Sequence, residues 1–122
     1  MKALFVTTTC LTVLLGVAWL FFPAAMLSGW GIAADAPTVY MARRYGGLFW
    51  GYAVLLWLSR AVAPSPARTA ILAGGTVVNV VMTLVSLLGA LSGVCTPSIW
   101  LAVAIEAVLS VAFAYQLLAA RS

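Results

Sequence analysis

Long apolar runs separated by short polar breaks fill almost the whole chain. A membrane-spanning helix needs about 20 predominantly apolar residues. The runs that meet this requirement cover residues 3–22, 39–58, 69–91 and 98–118. They are interrupted by Pro23 and by the segments "SRAVAPSPAR" and "SGVCTP", and stretches of this composition are typical of turns. The pattern therefore predicts four transmembrane helices.

The same runs exclude a membrane barrel, because its strands alternate polar and apolar residues. Since lipid offers no hydrogen-bond partners, helices satisfy the backbone within each segment. The composition agrees: 66% of the residues are hydrophobic and 7% are charged, whereas a typical soluble domain carries about 25% charged residues. We expect an all-α membrane protein, a four-transmembrane-helix bundle, that forms a single integral membrane domain over residues 1–122 in the lipid bilayer.

The basic residues lie near the ends of the runs and predict an orientation. Two groups face opposite sides of the predicted bundle, namely Lys2, Arg60, Arg68 and Arg121 on one side and Arg43 and Arg44 on the other. Because cytoplasmic loops carry an excess of Lys and Arg, both termini are expected in the cytoplasm. A nucleic-acid partner is not expected, since its binding surface would cluster this charge on one face.

Few residues of the chain can carry chemistry. There is no histidine, the only lysine is Lys2, and the two cysteines, Cys10 and Cys95, stand far apart in the sequence. Histidine-based acid–base catalysis and histidine-ligated metal sites are therefore excluded. Neither a nucleophile–base pair nor a phosphate-binding loop is visible. We expect no catalytic residues, no metal, no cofactor and no enzymatic activity.

Only two acidic residues, Asp35 and Glu106, are available to form ion pairs with the arginines. At 1.5 Å per residue, Glu106 lies roughly 12 Å below the outer end of the fourth run. By the same measure, Arg43 and Arg44 lie roughly 6–8 Å below the start of the second run. An arginine stem covers the difference, so an ion pair is expected between Glu106 and one of these arginines, with Arg43 favoured. The other arginine then meets Asp35 or extends to the lipid head groups.

Small residues predict where the helices touch. Gly47 and Gly51 form a GxxxG pattern on the face of the second helix that carries Arg43. Gly75 and Asn79 belong to a stripe of small and polar residues on the third helix. Stripes of this kind let membrane helices approach each other closely. We therefore expect helix packing at all three glycines.

Two interpretations of the polar positions remain open. The seam formed by Arg43 or Arg44 with Asn79 and Glu106 is either a structural ion pair with hydrogen-bonded packing, or a site for a lipid, a quinone-like or a drug-like molecule. An ionisable residue inside a membrane span is by default a hypothesis of function. Aromatic residues recur at helical spacing in the second helix and either pack or stack on a ring-shaped ligand: Tyr45, Phe49 and Tyr52.

A series of short motifs runs along nearly the whole chain. They are Pro23 at the end of the first helix, Trp30 and Gly31 in the loop, Arg43 or Arg44 with Gly46 or Gly47, and "WLSR" at residues 57–60. With these motifs the chain resembles the small bacterial four-helix membrane proteins of the DoxX-like group. The resemblance implies a bacterial cytoplasmic (inner) membrane. It also implies an accessory role, since some DoxX-type proteins are membrane subunits of oxidoreductase systems.

These observations favour a non-catalytic accessory or scaffold subunit of a larger bacterial membrane complex of respiratory or photosynthetic type. Its partners would be other membrane-protein subunits or further copies of the chain. Two alternatives stay open: a lipid-, quinone- or drug-binding membrane protein, and a small dimeric transporter that uses Glu106. The transporter hypothesis meets one difficulty, because small multidrug exporters carry their essential acid in the first helix.

Overall fold

The computed structural model describes residues 1–121, and over this range it consists of helices and connecting loops. The helices in chain order are α1 Lys2–Phe21, α2 Pro23–Gly29, α3 Ala36–Ser59, α4 Pro66–Leu91 and α5 Ile99–Arg121. The four long helices begin and end within three residues of the four apolar runs. The short α2 lies in the first connection, between α1 and α3.

Capping side chains set the starts of α3 and α4. The carboxylate of Asp35 accepts a hydrogen bond of 2.8 Å from the backbone N–H of Thr38, and the hydroxyl of Ser65 accepts one of 3.2 Å from the N–H of Arg68. Each bond satisfies a donor that the first helical turn leaves free. Hydrogen bonds from the side chain and backbone of Thr38 hold the pKa of Asp35 below its ordinary value. Asp35 therefore caps α3, and no ion pair joins it to an arginine within residues 1–121.

The long helices pack as two close pairs, α1 with α3 and α4 with α5. In the first pair the backbones approach so closely at Gly46 that a Cβ atom there would lie 2.9 Å from the backbone nitrogen of Leu20. In the second pair the ring of Phe113 covers Gly75, and a Cβ atom there would lie 2.5 Å from the ring. Glycine permits both contacts because it has no side chain. Gly75 is thus a packing position between α4 and α5.

Gly47 and Gly51 lie on another face of α3. Both residues are exposed, and no atom lies within 4 Å of the place that a Cβ atom would occupy at either position. Within the described residues, the GxxxG contact expected from the sequence is therefore absent. The helix α1 packs instead on the neighbouring stripe of α3 that contains Gly46, about 100° around the helix from Gly47. The spacing of small residues does not tell two adjacent stripes apart.

The two pairs meet at both ends of the bundle. At the end that carries Lys2, one fully buried residue from each long helix joins a common cluster: Phe5, Leu56, Leu72 and Phe113. The rings of Phe5 on α1 and Phe113 on α5 stack with their centroids 5.8 Å apart. This cluster, the Lys2-end core, holds the pairs together by apolar burial.

At the opposite end, α2 connects the first pair to the loop between α4 and α5. The backbone oxygen of Gly29 accepts hydrogen bonds from the hydroxyls of Thr96, at 2.9 Å, and Ser98. The backbone oxygen of Trp30 accepts a further one of 2.9 Å from the N–H of Thr96. The indole of Trp30 also packs on Trp19 of α1, with ring centroids 5.0 Å apart. These contacts form a polar link at the α2 end.

Within residues 1–121, three helices are long and apolar enough to cross a membrane: α1, α4 and α5. The helix α3 has the length, with 24 residues, but Arg43, Arg44 and several glycines make it less apolar. Large apolar side chains are exposed along the outside of the bundle, among them Leu48 at 74% and Val111 at 71%. Such a surface is stable only against lipid or other apolar helices. The architecture is that of an all-α membrane protein.

Candidate functional site

A cavity of about 320 Å³ separates the two helix pairs between the Lys2-end core and the α2-end link. All four long helices contribute to its walls, which are mostly apolar: Thr8, Leu11, Thr12, Leu15, Tyr45, Leu48, Phe49, Tyr52, Val78, Asn79, Met82, Ile105, Glu106 and Leu109. The pairs touch each other at few other points along their length. This space, the central cavity, is the candidate functional site.

Aromatic rings form the wall that α3 contributes. Tyr45, Phe49 and Tyr52 are three and four residues apart and therefore share one face of the helix. The rings of Tyr45 and Phe49 meet edge to face, with their centroids 4.6 Å apart. The hydroxyl of Tyr45 lies 4.0 Å from the sulfur of Met82, and the hydroxyl of Tyr52 lies 3.4 Å from the amide nitrogen of Asn79. These two contacts connect α3 to α4 along the cavity.

Glu106 on α5 is the acidic residue of this cavity. Its Oε2 atom is buried and has no hydrogen-bond partner among the residues that the structure describes. The hydroxyl of Ser86 on α4 lies beside the same carboxyl group. Buried polar atoms are nearly always hydrogen-bonded, and a lone one in an apolar setting costs free energy. The unpartnered oxygen therefore marks a place where a further group is expected to bind.

Arg43 and Arg44 do not reach this carboxyl group. Both arginines are exposed, and the guanidinium of Arg44 lies over the ring of Tyr40, 6.0 Å from its centroid. The ion pair expected between Glu106 and one of them does not form in the described part of the chain. The cavity face of α3 begins at Tyr45, and Arg43 lies two residues earlier, about 200° around the helix. The depths of Arg43 and Glu106 along their helices permitted an ion pair. The rotation of α3 about its axis prevents it, because it turns Arg43 away from the cavity.

The polar side chains that α1 and α4 contribute to the cavity donate hydrogen bonds to backbone oxygens of their own helices. The amide of Asn79 donates a hydrogen bond of 2.8 Å to the backbone oxygen of Gly75. The hydroxyls of Thr8 and Thr12 donate to the backbone oxygens of Leu4 and Thr8, each at 2.8 Å. Hydroxyls bonded in this way present mainly their methyl groups to their surroundings. Glu106 consequently stands out among the polar residues of the cavity.

The cavity reaches the outer surface between α3 and α4. Leu48 and Val78 line it from these two helices and are 74% and 44% exposed. Along α3, Leu48 lies between Tyr45 and Tyr52, whose contacts with Met82 and Asn79 join the two helices. If α3 and α4 lie in a bilayer, a ligand dissolved in the lipid enters sideways between them.

Sequence patterns indicated some of these residues and missed others. Asn79 and Glu106 lie on the cavity together, as does the aromatic face of α3, whereas Arg43 does not. The sequence gave no indication that Met82 contacts Tyr45 or that Thr96 forms the α2-end link. A single Met or Thr in an apolar chain does not form a recognisable pattern. No family model, no curated protein and no solved structure matches the chain. The geometry of the central cavity therefore carries the functional argument.

Proposed function

We propose that the chain is an integral membrane protein that binds a lipophilic small molecule in the central cavity. The observation that carries this proposal is the buried Oε2 atom of Glu106, which has no partner in a wall of mostly apolar and aromatic side chains. Small-molecule sites combine such walls with a few polar groups that orient the ligand. The cavity volume of about 320 Å³ falls at the lower end of the roughly 300–1,000 Å³ range of these sites.

The proposal includes a bilayer position for all four long helices. With 24 residues, α3 is about 36 Å long, which exceeds the ~30 Å hydrocarbon core. Arg43 and Arg44 lie at the end of its second turn and the start of its third, from which their side chains extend to the head groups. The distribution of the other basic residues supports cytoplasmic termini, and the resemblance to DoxX-like proteins supports a bacterial inner membrane.

An accessory subunit of a larger membrane complex is the second candidate. The helix α5 favours it, because only Ile99 and Phe113 are buried among its 23 residues. Exposed residues of α5 such as Leu101, Val108 and Val111 are open to a helix of another subunit or to a second copy of the chain. The resemblance to DoxX-like proteins supports the same role. Extraction from native membranes in mild detergent tests it, and recovery solely as a free small protein argues against it.

The opening of the cavity provides a test of ligand binding. Val78→Trp places a large ring at the opening, whereas Val77→Trp adds the same bulk to a neighbouring residue that is 61% exposed and outside the cavity lining. Wild type and both variants are reconstituted in nanodiscs and titrated with three lipophilic probes: tetraphenylphosphonium, tetraphenylborate and menadione. We expect at least one probe to bind saturably to wild type and Val77→Trp, and to lose this binding in Val78→Trp.

Empty nanodiscs serve as the control for partition of each probe into lipid. The proposal fails if no probe binds wild type above this background. It also fails if the two tryptophan variants bind every probe alike, because binding would then occur outside the cavity.

A further inference from the structure

We infer that the ligand of the central cavity is a lipophilic cation, that is, an organic ammonium or phosphonium group on an apolar body, with the carboxylate of Glu106 as its counter-ion. This inference rests on the proposed function and names the chemical class of the ligand. Three features of the site support it: the charge of Glu106, the aromatic wall, and the hydrogen-bond donors that are already engaged.

The first feature is an acid without a basic partner. Glu106 is one of two acidic residues in the chain, and the other, Asp35, is exposed and caps α3. Arg43 and Arg44 are exposed and leave the Oε2 atom of Glu106 without a partner among the described residues. A carboxylate that keeps its charge in an apolar environment is stabilised by a positive charge beside it. A positively charged ligand supplies the counter-ion that the described residues do not provide to Glu106.

The second feature is the position of the aromatic rings. The four long helices form a ring in which α3 and α5 are diagonal, since each touches α4 while they do not touch each other closely. Tyr45, Phe49 and Tyr52 therefore line the wall across the cavity from Glu106. Aromatic faces attract cations that approach within about 6 Å of the ring centroid. A cation between α3 and α5 is attracted from both sides, whereas an anion is repelled by the carboxylate and a neutral ring gains only stacking on the aromatic wall.

The third feature is the shortage of donors for any other kind of head group. The amide of Asn79 donates to Gly75 and Tyr52, and the hydroxyls of Thr8 and Thr12 donate to backbone oxygens of α1. The hydroxyl of Tyr52 accepts from Asn79 and remains a donor for a ligand, so a ligand that presents several carbonyl or phosphate oxygens finds few donors among the described lining residues. A cation needs none, because it binds through charge and ring faces. Its apolar body enters through the lipid-facing opening between α3 and α4.

Two probes of the same shape and opposite charge test the sign of the preference. Tetraphenylphosphonium and tetraphenylborate are titrated by equilibrium dialysis into nanodiscs that hold the full chain, with menadione as the neutral carbonyl probe. We expect wild type to bind the phosphonium at least about tenfold more tightly than either other probe, a difference of about 1.4 kcal/mol. Binding of the phosphonium is expected to be lost in Val78→Trp and kept in Val77→Trp.

Substitutions at the two acids identify the counter-ion. Glu106→Gln keeps the shape of the side chain and removes its charge, so the affinity for the phosphonium is expected to fall by about tenfold or more. Asp35→Asn removes the other acid and leaves affinity unchanged, since asparagine caps helices as well as aspartate does. Glu106→Asp retains the charge and is expected to retain the preference for the cation.

The outcomes separate this inference from the proposed function. Binding that Val78→Trp abolishes but that favours menadione or the borate overturns the inference and leaves the proposed function standing. An unchanged phosphonium affinity in Glu106→Gln overturns it as well. Should Glu106→Gln fail to reconstitute, the ranking of the three probes in wild type decides. Absence of saturable binding by every probe overturns both proposals together.

Discussion

The side-chain amide of Asn79 on α4 donates one hydrogen bond of 3.4 Å to the hydroxyl of Tyr52 on α3 and another of 2.8 Å to the backbone oxygen of Gly75. The first bond joins the two helix pairs beside the central cavity. The second keeps the amide bound inside α4, whichever way Tyr52 points. Asn79 thus links the two helix pairs, and its amide would remain hydrogen-bonded to Gly75 if the bond to Tyr52 were lost.

Tyr52→Phe is expected to destabilise the bundle only slightly. The substitution removes the hydroxyl that Asn79 meets, while the amide keeps its bond to Gly75. Interhelical hydrogen bonds in membrane proteins contribute about 0.6 kcal/mol on average, and we expect a loss of this size. Unfolding in mixed micelles measures it. A loss above about 2 kcal/mol would mean that the Tyr52 hydroxyl has a further partner that stabilises the fold.

Neighbouring glycines of α3 are expected to respond differently to alanine. At Gly46 a Cβ atom would lie 2.9 Å from the backbone nitrogen of Leu20, so Gly46→Ala forces α1 and α3 apart and costs about 1–3 kcal/mol. At Gly47 the space is open, and Gly47→Ala is neutral or stabilising by up to ~1 kcal/mol because alanine favours the helix. The same unfolding assay compares the two variants. Equal effects would contradict the packing of α1 on the Gly46 stripe.

The cap of α3 is expected to weaken in acid. Hydrogen bonds from Thr38 hold the pKa of Asp35 below the ordinary value of 3.8. The folded group has the lower pKa, so its stabilising effect is complete above pH 3.8 and is lost as the pH falls through the lowered value. Hydrogen exchange at the Thr38 amide, corrected for the intrinsic rate, should accelerate over that range. Asp35→Asn is the control and should show no such step.

The membrane position of α3 has its own test. Ala33 and Ala61 are exposed and lie just beyond the two ends of α3. In a background with both natural cysteines replaced by serine, Ala33→Cys is expected to react with a membrane-impermeant maleimide added outside intact cells, and Ala61→Cys only after lysis. Reaction of both positions from the same side would show that α3 does not cross. Reaction of Ala61→Cys alone from outside would reverse the proposed orientation.

The helical segments were predictable because their causes are local. Runs of about 20 apolar residues form helices in lipid, and breakers such as Pro23 and Pro66 end one segment or begin the next. The stripe of polar positions around Asn79 and Glu106 was also visible, since residues three and four apart share a helix face. Both depend on the order of residues within a single helix.

The sequence did not show that Glu106 lacks an arginine partner among the described residues. It also did not show which glycine, Gly46 or Gly47, packs against α1. Each depends on how far one helix is rotated about its axis relative to the next. A step of one residue turns a side chain by about 100°, so adjacent stripes of small residues look alike in the sequence and face different neighbours in the bundle.

The sequence by itself determined that this is an apolar, helical membrane protein with two acids, because composition and helical spacing act within each segment. The tertiary structure alone decided that the helices pack as two pairs held at both ends. It also decided that a cavity remains between the pairs and that the carboxyl group of Glu106 faces this cavity without an arginine. The pairs meet at the ends, through the rings of Phe5 and Phe113 at one and the hydrogen bonds of Thr96 to Gly29 and Trp30 at the other, and the cavity lies between these contacts.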